Sequence, residues 1–305
     1  ISFTLKNNEK MERVRCYSIL LSKFANSNIY RTMKMAKFKI WMVALTLIMG
    51  VSFTSCMNSD NDTTRYGGTL AKVYSMYGMN YYFKTADGLT ITPTATSVAE
   101  LEARGFKFSE VEGQVVQISY QWDSSVLEIP DNATKVEGVT LTGIISLDSQ
   151  VEVVDEPGAA NDSISDTPII SLKKEASGNF TYEPYYFDTN TLMLPINYYI
   201  QTKPHSFTLV YYPNEETSDG IIKLYLRHKK SGDNMTTGSP TSWDYALNGS
   251  TYLYYRSFNL QKIAYSTSGS LDKVIIVAEE NANSVELDDN NTKTNEYTVE
   301  YKEIK

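Results

Sequence analysis

An all-β fold in two parts, a small closed barrel and then a sandwich, is what this sequence predicts. β-Branched and aromatic residues recur in short blocks divided by turn residues, tyrosine alone accounts for 23 positions, and one segment only carries convincing helical spacing. Each block that alternates along a strand can bury one face, so many short blocks predict stacked or closed sheets.

Strands are expected at Thr69–Tyr77, Tyr81–Thr85, Leu89–Thr92, Val115–Trp122 and Val139–Val154 in the first part of the fold. The sharpest hairpin is Tyr81-Tyr82-Phe83-Lys84-Thr85-Ala86-Asp87-Gly88-Leu89-Thr90-Ile91, because Asp-Gly suits the positive φ angles of a tight two-residue turn. The helix follows: Ser97 and Glu100 have capping-box spacing, Val98 and Leu101 share a face, and Gly105 can close the last turn. Residues 66–154 thus hold the inventory of an OB-type barrel with one short helix. Residues 155–166, beginning Asp155-Glu156-Pro157-Gly158, are rich in turn formers and acids and read as a linker. Further strands at Leu192–Ile200, Ser206–Tyr212, Ile221–His228, Tyr252–Leu260, Lys273–Ala278 and Glu296–Lys302 make 167–305 an antiparallel Ig-like β-sandwich.

The segment before the fold carries an address. Phe53-Thr54-Ser55-Cys56 closes an apolar run from Ile40 to Val51, which follows Lys34, Lys37 and Lys39. A basic region, an apolar region and small residues before a cut make 33–55 a secretory signal; the run falls short of the roughly 20 residues that a membrane span needs. The pattern resembles the lipobox signals, in which the cysteine left at the first mature position takes diacylglycerol, so Cys56 is the expected lipidation site. Met57-Asn58-Ser59-Asp60-Asn61-Asp62, within a tether at 56–65, resembles the surface-export signal of Bacteroidetes lipoproteins. Residues 1–32, Cys16 among them, stand upstream of a signal that could start at Met33 or Met35 and read as an over-extended gene start.

Taking the nine Lys/Arg and two Asp/Glu of residues 1–55 from totals of 28 and 36 leaves the mature part with a formal charge of −15. Such a surface repels phosphate backbones, which excludes nucleic acid as the expected partner, and it disfavours polybasic adhesion to anionic lipid. Membrane contact is left to the anchor. With Cys56 acylated the mature chain has no second thiol, so core and ladders must supply its stability.

The Tyr-Tyr-Phe-Lys-Thr-Ala-Asp-Gly hairpin, the lipobox, and a distal Lys223-Leu224-Tyr225-Leu226-Arg227-His228 strand followed by Gly232-Asp233 resemble the NigD-like lipoproteins of Bacteroidetes. The resemblance implies an N-terminal OB domain, a C-terminal β-sandwich and no established biochemical activity; the insertion at Lys229–Gly249 departs from it.

Catalytic signatures are poorly represented. The two histidines, His205 and His228, fall on different expected strands, and neither a Gly-x-Ser-x-Gly elbow nor a His-Glu-x-x-His pair occurs. Arg227 and His228 alternate across a strand, so one faces the core side, and an Arg beneath the sandwich edge would need a carboxylate partner. The acidic runs Asp288-Asp289-Asn290-Asn291 and Asn214-Glu215-Glu216-Thr217-Ser218-Asp219-Gly220 offer oxygen ligands without EF-hand spacing and read as hairpin loops. No metal and no cofactor are expected.

Tyrosine is the remaining signal, above all the pairs Tyr81-Tyr82, Tyr185-Tyr186, Tyr198-Tyr199, Tyr211-Tyr212 and Tyr254-Tyr255. In a strand each pair sends its rings to opposite faces, one of them available for cross-strand stacking or for a ligand. Trp243 follows Ser239-Pro240-Thr241-Ser242 and is expected in an exposed loop, so Trp243, Tyr254 and Tyr255 are the candidate ligand-binding residues. The expected function is that of a lipid-anchored, non-enzymatic module at the outer membrane, on its surface or periplasmic face, binding a glycan or an envelope or extracellular protein. The alternatives are a bacteriocin-associated, immunity-type envelope protein and a glycoside hydrolase using paired carboxylates.

Overall fold

A computed structural model describes residues 63–300 except 79, 160–161, 177–179, 216, 218–219, 248–253, 265–272 and 289. The expected signal, Cys56 and the acidic stretch after it lie outside the described residues. All described residues belong to one compact unit, Thr46–Lys305.

Strands β1 (Thr64–Met76), β2 (Asn80–Lys84), β3 (Thr90–Pro93), β4 (Val115–Asp123) and β5 (Lys135–Ser146) close into a barrel in the order β1-β2-β3-β5-β4. Closure rests on the length of β1: its first part, Thr64–Lys72, pairs with β4, and Lys72–Met76 pairs with β2. Alternate residues point inward, so Ala71, Val73, Phe83, Ile91, Val116, Ile118 and Tyr120 form a buried core. A Cβ at Gly67 would fall 2.6 Å from the Tyr120 ring, so only glycine lets β1 pass this aromatic. Helices α1 (Ala95–Ala103) and α2 (Phe108–Val111) lie between β3 and β4 in the chain, contributing Leu101, Phe108 and Val111 to that core.

Two local expectations change in detail. The helix begins one turn before the expected capping box: Thr94 is the N-cap, its side chain accepting from the Ser97 amide, while Ser97 itself is buried. Gly105 does close the helix, at φ 94°. In the Asp87-Gly88 hairpin, the Thr85 amide donates to the Leu89 carbonyl and the Gly88 amide to the Thr85 carbonyl, enclosing three loop residues instead of two. Gly88 alone takes positive φ, which is the geometry of a turn closed by a glycine bulge.

The stretch expected as one strand from Val139 to Val154 breaks at Leu147. Its second part, β6 (Asp148–Val153), leaves the barrel and enters an eight-stranded sheet. With β9 (Tyr185–Asp188), β10 (Thr191–Pro195), β11 (Ser206–Tyr211), β12 (Ile221–Lys229), β13 (Tyr255–Asn259), β14 (Lys273–Glu280) and β15 (Lys293–Glu300), the order is β15-β14-β12-β11-β6-β13-β10-β9. Strand β6 pairs with β13 through Asp148–Ser149 and with β11 through Gln150–Val153, so it joins two wings. These wings share one core in which Leu192, Leu194 and Phe258 meet Leu209, Leu224 and Ile276. A separate hairpin pairs β7 (Lys174–Ala176) with β8 (Phe180–Tyr182).

The sandwich is mixed, not wholly antiparallel as expected: β6–β11, β6–β13 and β12–β14 are parallel. Parallel neighbours need a long crossover, and the excursion from Lys230 through α3 (Ser242–Leu247), β13 and α4 (Gln261–Ala264) provides one between β12 and β14.

Barrel and sandwich are joined by side chains as well as by the chain. Strand β10 is buried on both faces: Leu192 and Leu194 enter the sandwich core, while Met193 joins Leu70 and Val115 of the barrel, Leu147, Phe187 and Tyr255. Beside this cluster Lys72 Nζ lies 2.7 Å from Asp188 and 3.0 Å from the Thr191 hydroxyl.

Candidate functional site

The structure brings together two residues that the sequence kept apart. His205 and His228 lie within the sandwich, with Nδ1 of His205 2.7 Å from Nε2 of His228. The register explains it: Phe207 pairs with His228, and His205 immediately precedes β11. On the outer side His205 Nε2 lies 3.3 Å from Asp233, and His228 Nδ1 lies 3.2 Å from the Pro168 carbonyl. Tyr198 and Phe207 pack their rings on the pair.

Asp233 anchors this row. After β12 the backbone turns through positive φ at Ser231 and Gly232, presenting the Asp233 carboxylate to the amides of Gln201, Thr202 and Lys203 and to the Thr202 hydroxyl. Burial opposes its ionisation, but the Gln201 and Thr202 amides, His205 and the Lys203 amide together hold the carboxyl far below the usual range. Burial pushes His205 down against the pull of Asp233, and it pushes His228 well down with help from His205. The row has an acid and two potential bases, but among the described residues neither imidazole hydrogen-bonds a Ser or Thr hydroxyl, and the row lies away from solvent.

Arg227 takes the opposite face of β12, as alternation requires, and finds the carboxylate partner expected of it. Its Nη2 lies 3.4 Å from Asp162 and donates to the Tyr212 hydroxyl at 2.6 Å; that hydroxyl donates to Asp162, also at 2.6 Å. Asp162 and Ser163 are buried in the segment expected to be a linker, which instead packs on the sandwich.

Trp243, Tyr254 and Tyr255 are brought together, but not as an exposed platform. Trp243 opens α3 and is 6 % exposed, contrary to the loop exposure expected from Ser239-Pro240-Thr241-Ser242. The reason is local: the Ser242 amide donates to the Tyr198 carbonyl and the Ser242 hydroxyl to that of Ile196, drawing the indole inward. Its ring centroid lies 6.3 Å from Tyr182 and 6.4 Å from Tyr254, with Lys174 Nζ 4.8 Å away. The Tyr254 ring lies tilted at 4.4 Å from that of Tyr255, which packs edge-on to Tyr185 at the junction with the barrel.

The other tyrosine pairs divide similarly. Tyr81 enters the barrel core while Tyr82 stacks outside on Tyr74; Tyr198 is buried while Tyr199 donates to the Ala282 carbonyl. Tyr211 packs on the sandwich core, and Tyr212 is buried with Val154 and Val210 on the other face. Rings that sequence alternation sent outward are mostly covered by the barrel, by residues 162–163 or by one another.

An open polar feature lies where β6 enters the sheet: a cleft of about 610 Å³ lined by Asp148, Gln150, Glu152, Asn259, Gln261 and Lys262 among others. Burial raises the Asp148 carboxyl, while the Ser149 amide and Lys72 draw it back. Glu152 accepts from the Ser163 hydroxyl through one oxygen, and its other oxygen has no hydrogen-bond partner. The cleft residues carried no motif in the sequence; the break between β5 and β6 is what assembles them.

The Asp288 run is a loop, as read: Asp288 accepts from the Asn290 amide and the Asn291 side chain. Among the described residues no group of three His, Cys, Asp or Glu is placed to hold a metal ion.

No protein-family model and no curated protein matches this chain. Among solved structures, a candidate lipoprotein of Bacteroides fragilis aligns at 22 % identity with a TM-score of 0.58, covering 79 % of this chain and all of that one. That likeness shows a common fold. A NigD-like immunity protein of Bacteroides caccae aligns at 14 % identity and TM-score 0.43, over 75 % of this chain and 90 % of its own. A protein of unknown function from Bacteroides vulgatus aligns at 12 % and 0.43, over 76 % and 90 %.

Proposed function

We propose that this chain is a lipid-anchored protein of the cell envelope, held at the outer membrane through Cys56, that acts by binding and not by catalysis, and that its polar cleft takes a glycan. The observation that carries the reading is the division of labour inside the fold. The histidines, Trp243 and the paired tyrosines are engaged in packing, whereas Asp148, Gln150, Glu152, Asn259 and Gln261 line an open cleft. Carboxamide and carboxylate groups placed side by side supply the mixed donors and acceptors that sugar hydroxyls require. The negative charge of the mature part favours neutral glycans over acidic ones.

Glycan arrays probed with the protein and with a Gln150→Ala, Asn259→Ala variant test this. Binding to neutral glycans that falls at least tenfold in the variant is the expected result. A flat array would overturn the glycan reading and favour a protein partner of the immunity type, to be sought by crosslinking in the envelope. Turnover of an array glycan would overturn the non-enzymatic reading.

A further inference from the structure

The row Asp233–His205–His228–Pro168 contains three successive contacts, at 3.3, 2.7 and 3.2 Å. Its ends, an ionised carboxylate and a peptide carbonyl, can only accept, so each contact needs one ring hydrogen. Two neutral imidazoles supply two hydrogens and leave one contact without a proton. One imidazole and one imidazolium supply three, filling the row. Two imidazolium rings supply four, setting N–H against N–H across 2.7 Å.

We propose that His205 and His228 form a single proton-binding site in the folded protein, which takes up one proton as the pH falls and bars a second. In the neutral state the carboxylate of Asp233 claims the Nε2 hydrogen of His205, whose Nδ1 then accepts from His228 Nε2. This leaves the lone pair of His228 Nδ1 facing the carbonyl of Pro168, and the added proton belongs there. Pro168 belongs to a segment already tied to this strand: the Ser165 hydroxyl accepts from the His228 amide, the Asp166 amide donates to the His228 carbonyl, and Asp166 accepts from the Lys230 amide. Proton uptake therefore adds a hydrogen bond between β12 and the segment that covers its end.

The surroundings set the pH at which this happens. Asp233 after β12 and Asp166 in the covering segment draw a proton towards His205; Arg256 of β13 repels it from both rings. Tyr198 closes the remaining side with its hydroxyl facing Arg256 at 3.4 Å. Burial outweighs the attraction of the two carboxylates, so uptake occurs below the ordinary histidine range.

The sign of the stability effect follows. Unfolded, both rings bind protons near pH 6.5. Folded, the pair binds its first proton later and refuses the second, so the unfolded state holds more protons in acid. The pair's contribution to stability is fully present above pH 6.5 and is lost as pH falls below it. Once the first proton is bound, the unfolding equilibrium should shift about tenfold per pH unit from this pair, one proton's worth and not two.

The direct test is ring-nitrogen NMR of the detergent-solubilised full chain, labelled on histidine and purified without a histidine tag, from pH 8 down to the acid unfolding edge. The expected result is one net pyridine-type to pyrrole-type conversion among the four ring nitrogens while the fold persists. Two imidazolium rings in folded protein would overturn the proposal. So would two rings that stay neutral until unfolding.

Discussion

Asp233→Ala is expected to destabilise the fold by about 3 kcal/mol, because it removes one buried acceptor from several donors at once. The amides of Gln201, Thr202 and Lys203, the Thr202 hydroxyl and His205 all point at this carboxylate, whose side chain is fully buried. Alanine leaves the buried His205 ring and the loop amides without their shared acceptor. Asp233→Asn keeps the shape but turns one oxygen into an NH₂ group, which must face either the Gln201 amide or the Thr202 and Lys203 amides. Its cost should be about half that of alanine. Urea unfolding of both variants at pH 7.5 checks the ranking; a shift under about 1 kcal/mol for alanine would mean the donors find other acceptors.

Trp243→Ala should cost about 3–5 kcal/mol, as expected for emptying a buried aromatic site. The indole fills the space between Tyr182, Tyr254 and the Lys174 ammonium. Its Nε1 is buried without a hydrogen-bond partner. Trp243→Phe therefore loses ring volume but no hydrogen bond, and it should recover most of the loss. Thermal unfolding of the two variants separates a packing role from a ligand platform: an alanine variant of unchanged stability would restore Trp243 to the binding residues.

The barrel was legible because its signals are local. The alternation in β1 to β4, the Asp-Gly turn, and a helix closed by Gly105 each lie within a few residues of the contacts they make. The sandwich pairings were less so. Nothing within Val139–Val154 announces that the strand changes sheets at Leu147, since β-branched residues suit both partners and the break is set by what Val115 and Ser257 offer to residue 147. The same limit applies to the site. His205 and His228 are 23 residues apart and become neighbours only through the β11–β12 register. Asp162 looked like a linker acid because its partners, Tyr212 and Arg227, lie 50 and 65 residues further along the chain, and local sequence does not show that they meet it. For Trp243, the Ser-Pro-Thr-Ser stretch suggested an exposed loop; it could not show that Ser242 binds the backbone at Ile196 and draws the ring inside. The alternation of Arg227 and His228 was read correctly because it needs only the period of a strand.

Lipid attachment at Cys56 is the claim on which location and mode of action both depend. Two or more acyl chains on one residue give stable membrane anchoring, whereas one chain gives marginal binding. The measurement to make is intact and N-terminal mass of the protein isolated from cells fed an alkyne fatty acid, beside a Cys56→Ala variant. The predicted result is a mature chain that begins at an acylated, labelled Cys56 and partitions with membranes, together with an unlabelled variant that does not. A wild-type chain that retains residues upstream of Cys56, or carries a free thiol there, would contradict it.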